Sequence, residues 1–102
     1  MDVPTSWQDL KTKRLDAMSG PEREEYNRAY AAARLAAEVG ERVRQAREAA
    51  GISQRELARR MGTSQSAVDR LEAGGVGATL TTLQRVASAL GLTVSVDLKE
   101  TA

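Results

Sequence analysis

The groups of this chain that could do chemistry are amides, hydroxyls, carboxylates and guanidiniums, because its 102 residues include neither Cys nor His. That absence excludes disulfides, thiolate or imidazole metal sites, and nucleophiles built on Cys or on Ser with His. We therefore expect no enzymatic activity, no metal and no cofactor. The most informative polar set is Gln65, Ser66, Asp69 and Arg70, whose spacing places them on one side of a helix. Because Gln and Arg can each make two parallel hydrogen bonds, this face is suited to recognition rather than to bond making.

Two short helices joined by a sharp turn are predicted to position this face. The first covers residues 54–61 and begins after Ser53, with Glu56 three residues later in the pattern of a capping box. The second covers residues 65–73 and is capped by Ser64. Gly62 supplies the turn with a residue that tolerates positive φ.

The apolar residues of these helices fall where a helix-turn-helix needs them. Ala58 is small enough for the helices to cross closely, while Val68 and Leu71 form the buried side of the second helix. Together with Gly62, they match the arrangement at four positions in register. A further helix is predicted from Thr81 or Thr82 to Leu90.

An amphipathic helix is predicted before this region, over residues 22–38, with Ser19 or Gly20 as its cap. Its apolar stripe fits an internal core and a protein contact equally well; it comprises Tyr26, Ala29, Tyr30, Ala33 and Ala37. A second stripe continues past Gly40. Either one long helix serves two neighbours or the chain bends at this glycine, and the sequence leaves both open.

Positive charge is concentrated in the middle of the chain, where residues 41–91 hold eight arginines against five acidic residues. This modest excess is consistent with binding a polyanion, although a solvated helical surface would look similar. No apolar run is long enough for a membrane span and no signal peptide is evident, so we expect a soluble protein. The absence of Cys fits a reducing cytoplasm.

Three segments carry a family resemblance: GISQRELA from Gly51, GTSQSAV from Gly62 and RLEAG from Arg70. With Arg47, they resemble the lambda-repressor/Cro-like (XRE-type) DNA-binding family over about residues 39–91. The GGVGA loop, the TTL helix start, the LGLTV ending and the preceding PEREEY helix are more narrowly similar to HigA-type antitoxins.

The resemblance implies a mainly α fold, a lambda-repressor-like helix-turn-helix bundle with an N-terminal helical extension and a C-terminal β-strand paired across a dimer. It implies a cytoplasmic bacterial homodimer that represses its own operon at a palindromic operator. It also implies that the chain neutralises a HigB/RelE-type toxin, an mRNA-cleaving ribonuclease. The alternatives are a stand-alone repressor without a toxin and an interaction module that no longer binds DNA.

The resemblance also implies roles for the exposed face of the second helix. Gln65 would read adenine and Arg70 guanine, Ser66 would donate or accept, and Asp69 would take a cytosine amine or orient Arg70. The plainer alternative is an ordinary solvated helix face. Phosphate contacts are expected from Ser53, Gln54, Arg55 and Ser64, although the two serines are equally well explained as caps.

Arg47 and Glu72 match the structural salt bridge of this family. The loop over residues 75–79 contains no Lys or Arg, so we expect a shallower salt dependence than in repressors with basic loops.

The ends of the chain are assigned to other partners. Residues 1–38 are the candidate toxin-contacting region, with Tyr26, Tyr30 and Ala33 as contacts, and residues 39–91 form the DNA-binding domain. Residues 92–102 are assigned to a C-terminal strand because residues 92–98 alternate apolar and polar, with Leu92, Val94, Val96 and Leu98 on the apolar face. This strand would pair with its copy in a second subunit or, alternatively, with a toxin strand.

Overall fold

The computed structural model describes residues 7–101, and within that range all side chains except those of residues 7–9 and 15. This part of the chain forms five helices: α1 Trp7–Ala17, α2 Gly20–Ala49, α3 Gln54–Met61, α4 Gln65–Gly74 and α5 Leu80–Leu90. The chain divides into two compact units, one ending at Ala32 and the other beginning at Ala33, so the division falls inside α2. Among the described residues, no helix is both long and apolar enough to cross a membrane.

The first unit contains α1 and the start of α2, and a complete capping box opens α2. The Ser19 hydroxyl accepts a hydrogen bond from the Glu22 N–H, and the Ser19 N–H donates to the Glu22 carboxylate, each at 3.3 Å. This exchange satisfies N–H groups that the first helical turn leaves without partners.

The second unit is built around the helix-turn-helix, and its core lies between α3, α4, α5 and the last part of α2. The core consists of Val43, Leu57, Ala58, Val68, Leu71 and Val86. Leu57, Val68 and Leu71 are the largest fully buried side chains, and burial of each contributes about 1.5–3 kcal/mol. The predicted inner face of the second helix is therefore its buried face.

Side-chain caps begin α3 and α4 where the sequence predicts them, and Gly62 has the predicted positive φ of 70° in the turn. Two boundaries differ from the prediction. The last residue of α4 is Gly74 rather than Ala73, and Gly75, with a φ of 70°, is its C-terminal cap. The helix α5 begins at Leu80 because Thr79, not Thr81 or Thr82, is the cap: its hydroxyl accepts from the Thr82 N–H at 3.1 Å.

The helix α2 continues through Gly40 without a break, which decides between the two alternatives that the sequence leaves open. Gly40 is buried because the backbone of α4 approaches it closely. A Cβ atom at this position would lie 2.8 Å from the carbonyl oxygen of Glu72 and closer still to that of Leu71. The glycine therefore marks a close helix–helix approach rather than a bend.

The predicted C-terminal strand is not present: residues 92–101 contain no regular secondary structure. The prediction is wrong for the single chain because a strand needs a neighbour for its backbone N–H and C=O groups, and the described residues include no other strand. Leu92, Val96 and Leu98 are exposed, and Val94 is partly buried.

Candidate nucleic-acid interface

The helix α4 separates its residues into a buried side and an exposed side. Val68, Leu71 and Glu72 are buried, whereas the four predicted base-reading residues are all exposed: Gln65, Ser66, Asp69 and Arg70. The structure thus brings these four side chains together on one accessible face near the start of the helix. Such a face can enter a groove without disturbing the core.

Most of the donors of Arg70 remain available. Its Nε donates to the backbone carbonyl of Ser66 at 3.4 Å, and no ion pair to Arg70 is present among the described residues. The two terminal NH₂ groups can therefore make the bidentate contact that guanine accepts through O6 and N7. The hydrogen bond from Nε also holds the aliphatic part of the side chain along α4.

Asp69 is hydrogen-bonded to Gln54, and among the described residues no ion pair joins it to Arg70, which it was predicted to orient. The Gln54 amide nitrogen donates to the Asp69 carboxylate at 3.3 Å and to the Glu72 carboxylate at 3.2 Å. Both amide hydrogens of Gln54 are thus engaged within the protein, so its side chain presents only an acceptor oxygen. A phosphate needs a donor, and the arrangement therefore disfavours the predicted phosphate contact by the Gln54 side chain.

The two candidate serines act as helix caps in the structure. The Ser53 hydroxyl oxygen accepts from the Glu56 N–H at 3.0 Å, and that of Ser64 accepts from the Ala67 N–H at 3.1 Å. Each hydroxyl keeps its own hydrogen, so capping and phosphate donation are compatible.

Arg47 and Glu72 form a bidentate ion pair between α2 and α4. The distances are 2.7 Å from Nε to Oε2 and 3.0 Å from Nη2 to Oε1, and Nη1 donates to the carbonyl of Ile52 at 2.9 Å. The Glu72 side chain is 2% exposed, and its hydrogen bond raises the pKa of Arg47 above its ordinary value. The pair fixes α4 against α2, and removing either partner would leave the other charge uncompensated.

Ion pairing divides the arginines of α3, α4 and α5 into two groups. Arg59 and Arg60 both contact Glu56, at 2.6 and 3.1 Å, and their hydrogen bonds lower the pKa of that carboxyl to about 2. Arg55 and Arg85 are exposed and have no ion pair among the described residues. These two arginines and Arg70 lie on α3, α5 and α4, and their charge is free to act on a polyanion.

Arg85 is the functional candidate that the sequence analysis missed. It lines a cleft of about 230 Å³ between α4 and α5, together with Arg70, Thr63 and Thr82. The sequence shows only an arginine within an amphipathic helix, and nothing in that pattern predicts that it faces the recognition helix.

The candidate toxin contacts do not fall in one unit. In the first unit the rings of Tyr26 and Tyr30 stack at 6.4 Å, and Lys11 Nζ lies 4.2 Å from the Tyr30 ring centroid. Tyr30 is exposed and Tyr26 partly buried. Ala33 is exposed and belongs to the second unit.

An open apolar groove lies elsewhere on the second unit, between α2, α5 and the C-terminal segment. It has a volume of about 580 Å³, and Val39, Leu83 and Val86 contribute to its lining. Leu92 and Val94, two of the residues predicted to pair across a dimer, also line it.

Comparison with known proteins agrees with this geometry. A family model for the helix-turn-helix, HTH_3, matches residues 43–96, slightly more than half of the chain. Neither the curated proteins nor the solved structures yielded a match to the chain. The exposed face of α4 and the buried contact between α3 and α4 agree with this match. The chain belongs to the HTH_3 (XRE-type) helix-turn-helix family of DNA-binding transcription regulators.

Proposed function

We propose that this protein is a transcriptional repressor that reads a specific operator by placing α4 in the major groove. The observation that carries the proposal is the row of exposed side chains on α4. Among the described residues, the Gln65 amide and the two terminal NH₂ groups of Arg70 have no hydrogen-bond partner. Gln65 matches the N6 and N7 pattern of adenine, and Arg70 matches the O6 and N7 pattern of guanine.

The proposed operator is palindromic and the proposed repressor a homodimer. A single recognition helix reads only a few base pairs, whereas two related by a twofold axis read half-sites about 34 Å apart. The groove lined by Leu83, Val86 and Leu92 supports this proposal, because it leaves apolar surface that a second copy would cover. Sedimentation of the free protein and of its DNA complex measures the stoichiometry. The proposed site of action is the bacterial cytoplasm.

The double variant Gln65→Ala with Arg70→Ala tests base reading, with DNA from the protein's own promoter as the target. Each bidentate contact contributes about 1–3 kcal/mol to discrimination, so specific affinity should fall by a factor of about 100 or more. Non-specific affinity should fall much less. The matched control is Gln45→Ala with Arg34→Ala, which removes the same residue types from exposed positions on α2.

Fluorescence anisotropy with the promoter and with an unrelated duplex of equal length gives the ratio of the two affinities. An unchanged ratio in the α4 double variant would refute the proposed base reading. Loss of the ratio in the α2 control would attribute the effect to charge rather than to position.

We further propose that the protein is an antitoxin whose first unit binds a HigB/RelE-type ribonuclease. Two observations favour this second activity: a compact unit that ends at Ala32 and does not include the helix-turn-helix, and the exposed ring of Tyr30 stacked on Tyr26. Aromatic side chains of this kind frequently dominate protein interfaces.

Co-expression with the product of the neighbouring reading frame tests the antitoxin proposal. The protein should co-purify with that product and inhibit its cleavage of mRNA in vitro. Tyr30→Ala should weaken inhibition while promoter binding stays at the wild-type level. A neighbouring product that neither binds nor cleaves mRNA would favour a stand-alone repressor.

A further inference from the structure

A cleft beside the recognition helix combines cationic, hydroxyl and apolar groups in one place. Its volume is about 230 Å³, and it lies between the turn, α4, the following loop and the first turns of α5. Arg70 and Arg85 line it, as do Thr63 and Thr82. The cleft is smaller than the roughly 300–1,000 Å³ of typical small-molecule sites, so a single anionic group with a compact apolar neighbour fits it better than a larger ligand.

Several hydrogen-bond donors of this cleft have no acceptor among the described residues. Arg85 is exposed and has no ion-pair partner among the described residues. The Thr82 hydroxyl oxygen accepts from the hydroxyl of Thr79 at 3.0 Å, which leaves the hydrogen of Thr82 free to be donated. Because Thr82 and Arg85 are three residues apart on α5, they lie on the same face of that helix.

We propose that this cleft holds one backbone phosphate of the bound duplex, with Arg85 as its principal cation and the hydroxyls of Thr63 and Thr82 as additional donors. The proposal rests on the proposed DNA-binding function and extends it to a contact that carries no sequence information. The exposed side chain of Val76, at the wall of the cleft, matches the apolar carbons of the adjoining deoxyribose.

This assignment supplies a charge that the neighbouring loop lacks. Residues 75–79 contain no Lys or Arg and offer phosphate only backbone N–H groups, so a cationic side chain at this end of α4 must come from another element. Arg85 reaches the same cleft from α5, next to the base-reading Arg70. One arginine would then fix the register of the backbone while the other reads a base.

Arg85→Ala tests the proposal through the salt dependence of binding, measured with promoter DNA and with an unrelated duplex. Loss of one phosphate contact should reduce the slope of log K against log salt by about 0.9, and should weaken binding about fivefold to tenfold at 0.1 M salt, for each protomer that contacts the DNA. Both duplexes should be affected alike, so the affinity ratio is retained. Arg85→Lys should keep most of the slope because it keeps the charge, and Arg34→Ala, which removes one exposed charge from α2, should leave the slope unchanged.

The outcomes separate this proposal from the function on which it rests. A wild-type slope for Arg85→Ala on both duplexes, with specificity still lost in the α4 double variant, overturns the phosphate site alone. A reduced slope in a protein that shows no preference for its promoter supports the phosphate site and refutes specific base reading. Wild-type protein that binds neither duplex refutes both.

Discussion

The most direct test of the architecture is the substitution Gly40→Ala in the middle of α2. Alanine is favoured over glycine in a helix interior by about 1 kcal/mol, so helix propensity alone predicts a more stable protein. The structure predicts the opposite. The new Cβ would lie 2.8 Å from the carbonyl oxygen of Glu72, well inside ordinary van der Waals distance of 3.4–4 Å, and closer still to that of Leu71.

The size of the stability loss in Gly40→Ala depends on whether the atoms that the new Cβ meets can move away. The obstructing atoms belong to the α4 backbone, which cannot rotate away as a flexible side chain does, so the strain should reach the upper part of the roughly 1–3 kcal/mol range for overpacking. After the gain in propensity, we expect a net loss of about 2 kcal/mol. For a domain of this size, such a loss lowers Tm by about 8–16 °C.

Urea denaturation and thermal melts measure this effect, with Gly74→Ala as the matched control. Gly74 is the last residue of α4 and has no positive φ, and a Cβ atom added there would meet no other atom within 4 Å. The control should therefore be as stable as the wild type or slightly more so. Gly40→Ala with wild-type stability or better would refute the close approach of α2 to α4.

Titration, turn geometry and the buried ion pair each give another test. Two arginines lower the pKa of Glu56 from 4.5 to about 2, so its stabilising contribution is present above pH 4.5 and is lost as the pH falls toward 2. Glu56→Gln should therefore show a shallower fall in Tm than the wild type over that window. Gly62→Ala should lower the free energy of unfolding by about 1–2 kcal/mol because of its left-handed backbone. Gly75→Ala should lower it further, because its Cβ would also lie 2.6 Å from an α2 carbonyl carbon, and urea denaturation ranks the two. Glu72→Ala should lower it by about 3 kcal/mol by isolating Arg47, whereas Glu72→Gln should retain part of that stability.

The helix-turn-helix could be predicted from the sequence because its determinants are local. Ser53 and Ser64 each cap a helix through an N–H three residues later, and Gly62 ends α3 with a positive φ. Such interactions depend on residues within one turn of each other, so the spacing alone carries the information. The amphipathic pattern of α4 likewise predicts that Val68 and Leu71 belong to the core, where the structure places them.

The features that the sequence analysis did not predict depend on contacts between distant segments. The role of Gly40 needs the α4 backbone, which lies about thirty residues later. The engagement of Gln54 depends on carboxylates 15 and 18 residues away. The alternation over residues 92–98 predicts a strand, but alternation describes only the side chains and supplies no partner for the backbone.

In α4, the residues that hold the helix in place differ from the residues proposed to read DNA, and this bears on how such a protein could acquire a new operator. One buried carboxylate, that of Glu72, receives hydrogen bonds from α2 and α3 and so holds the helix in place independently of its outer surface. Substitutions at Gln65, Ser66 and Arg70 could therefore retarget the protein with little thermodynamic penalty. Asp69 is less free to vary, because it accepts a hydrogen bond from Gln54 and its substitution would remove a contact between α3 and α4.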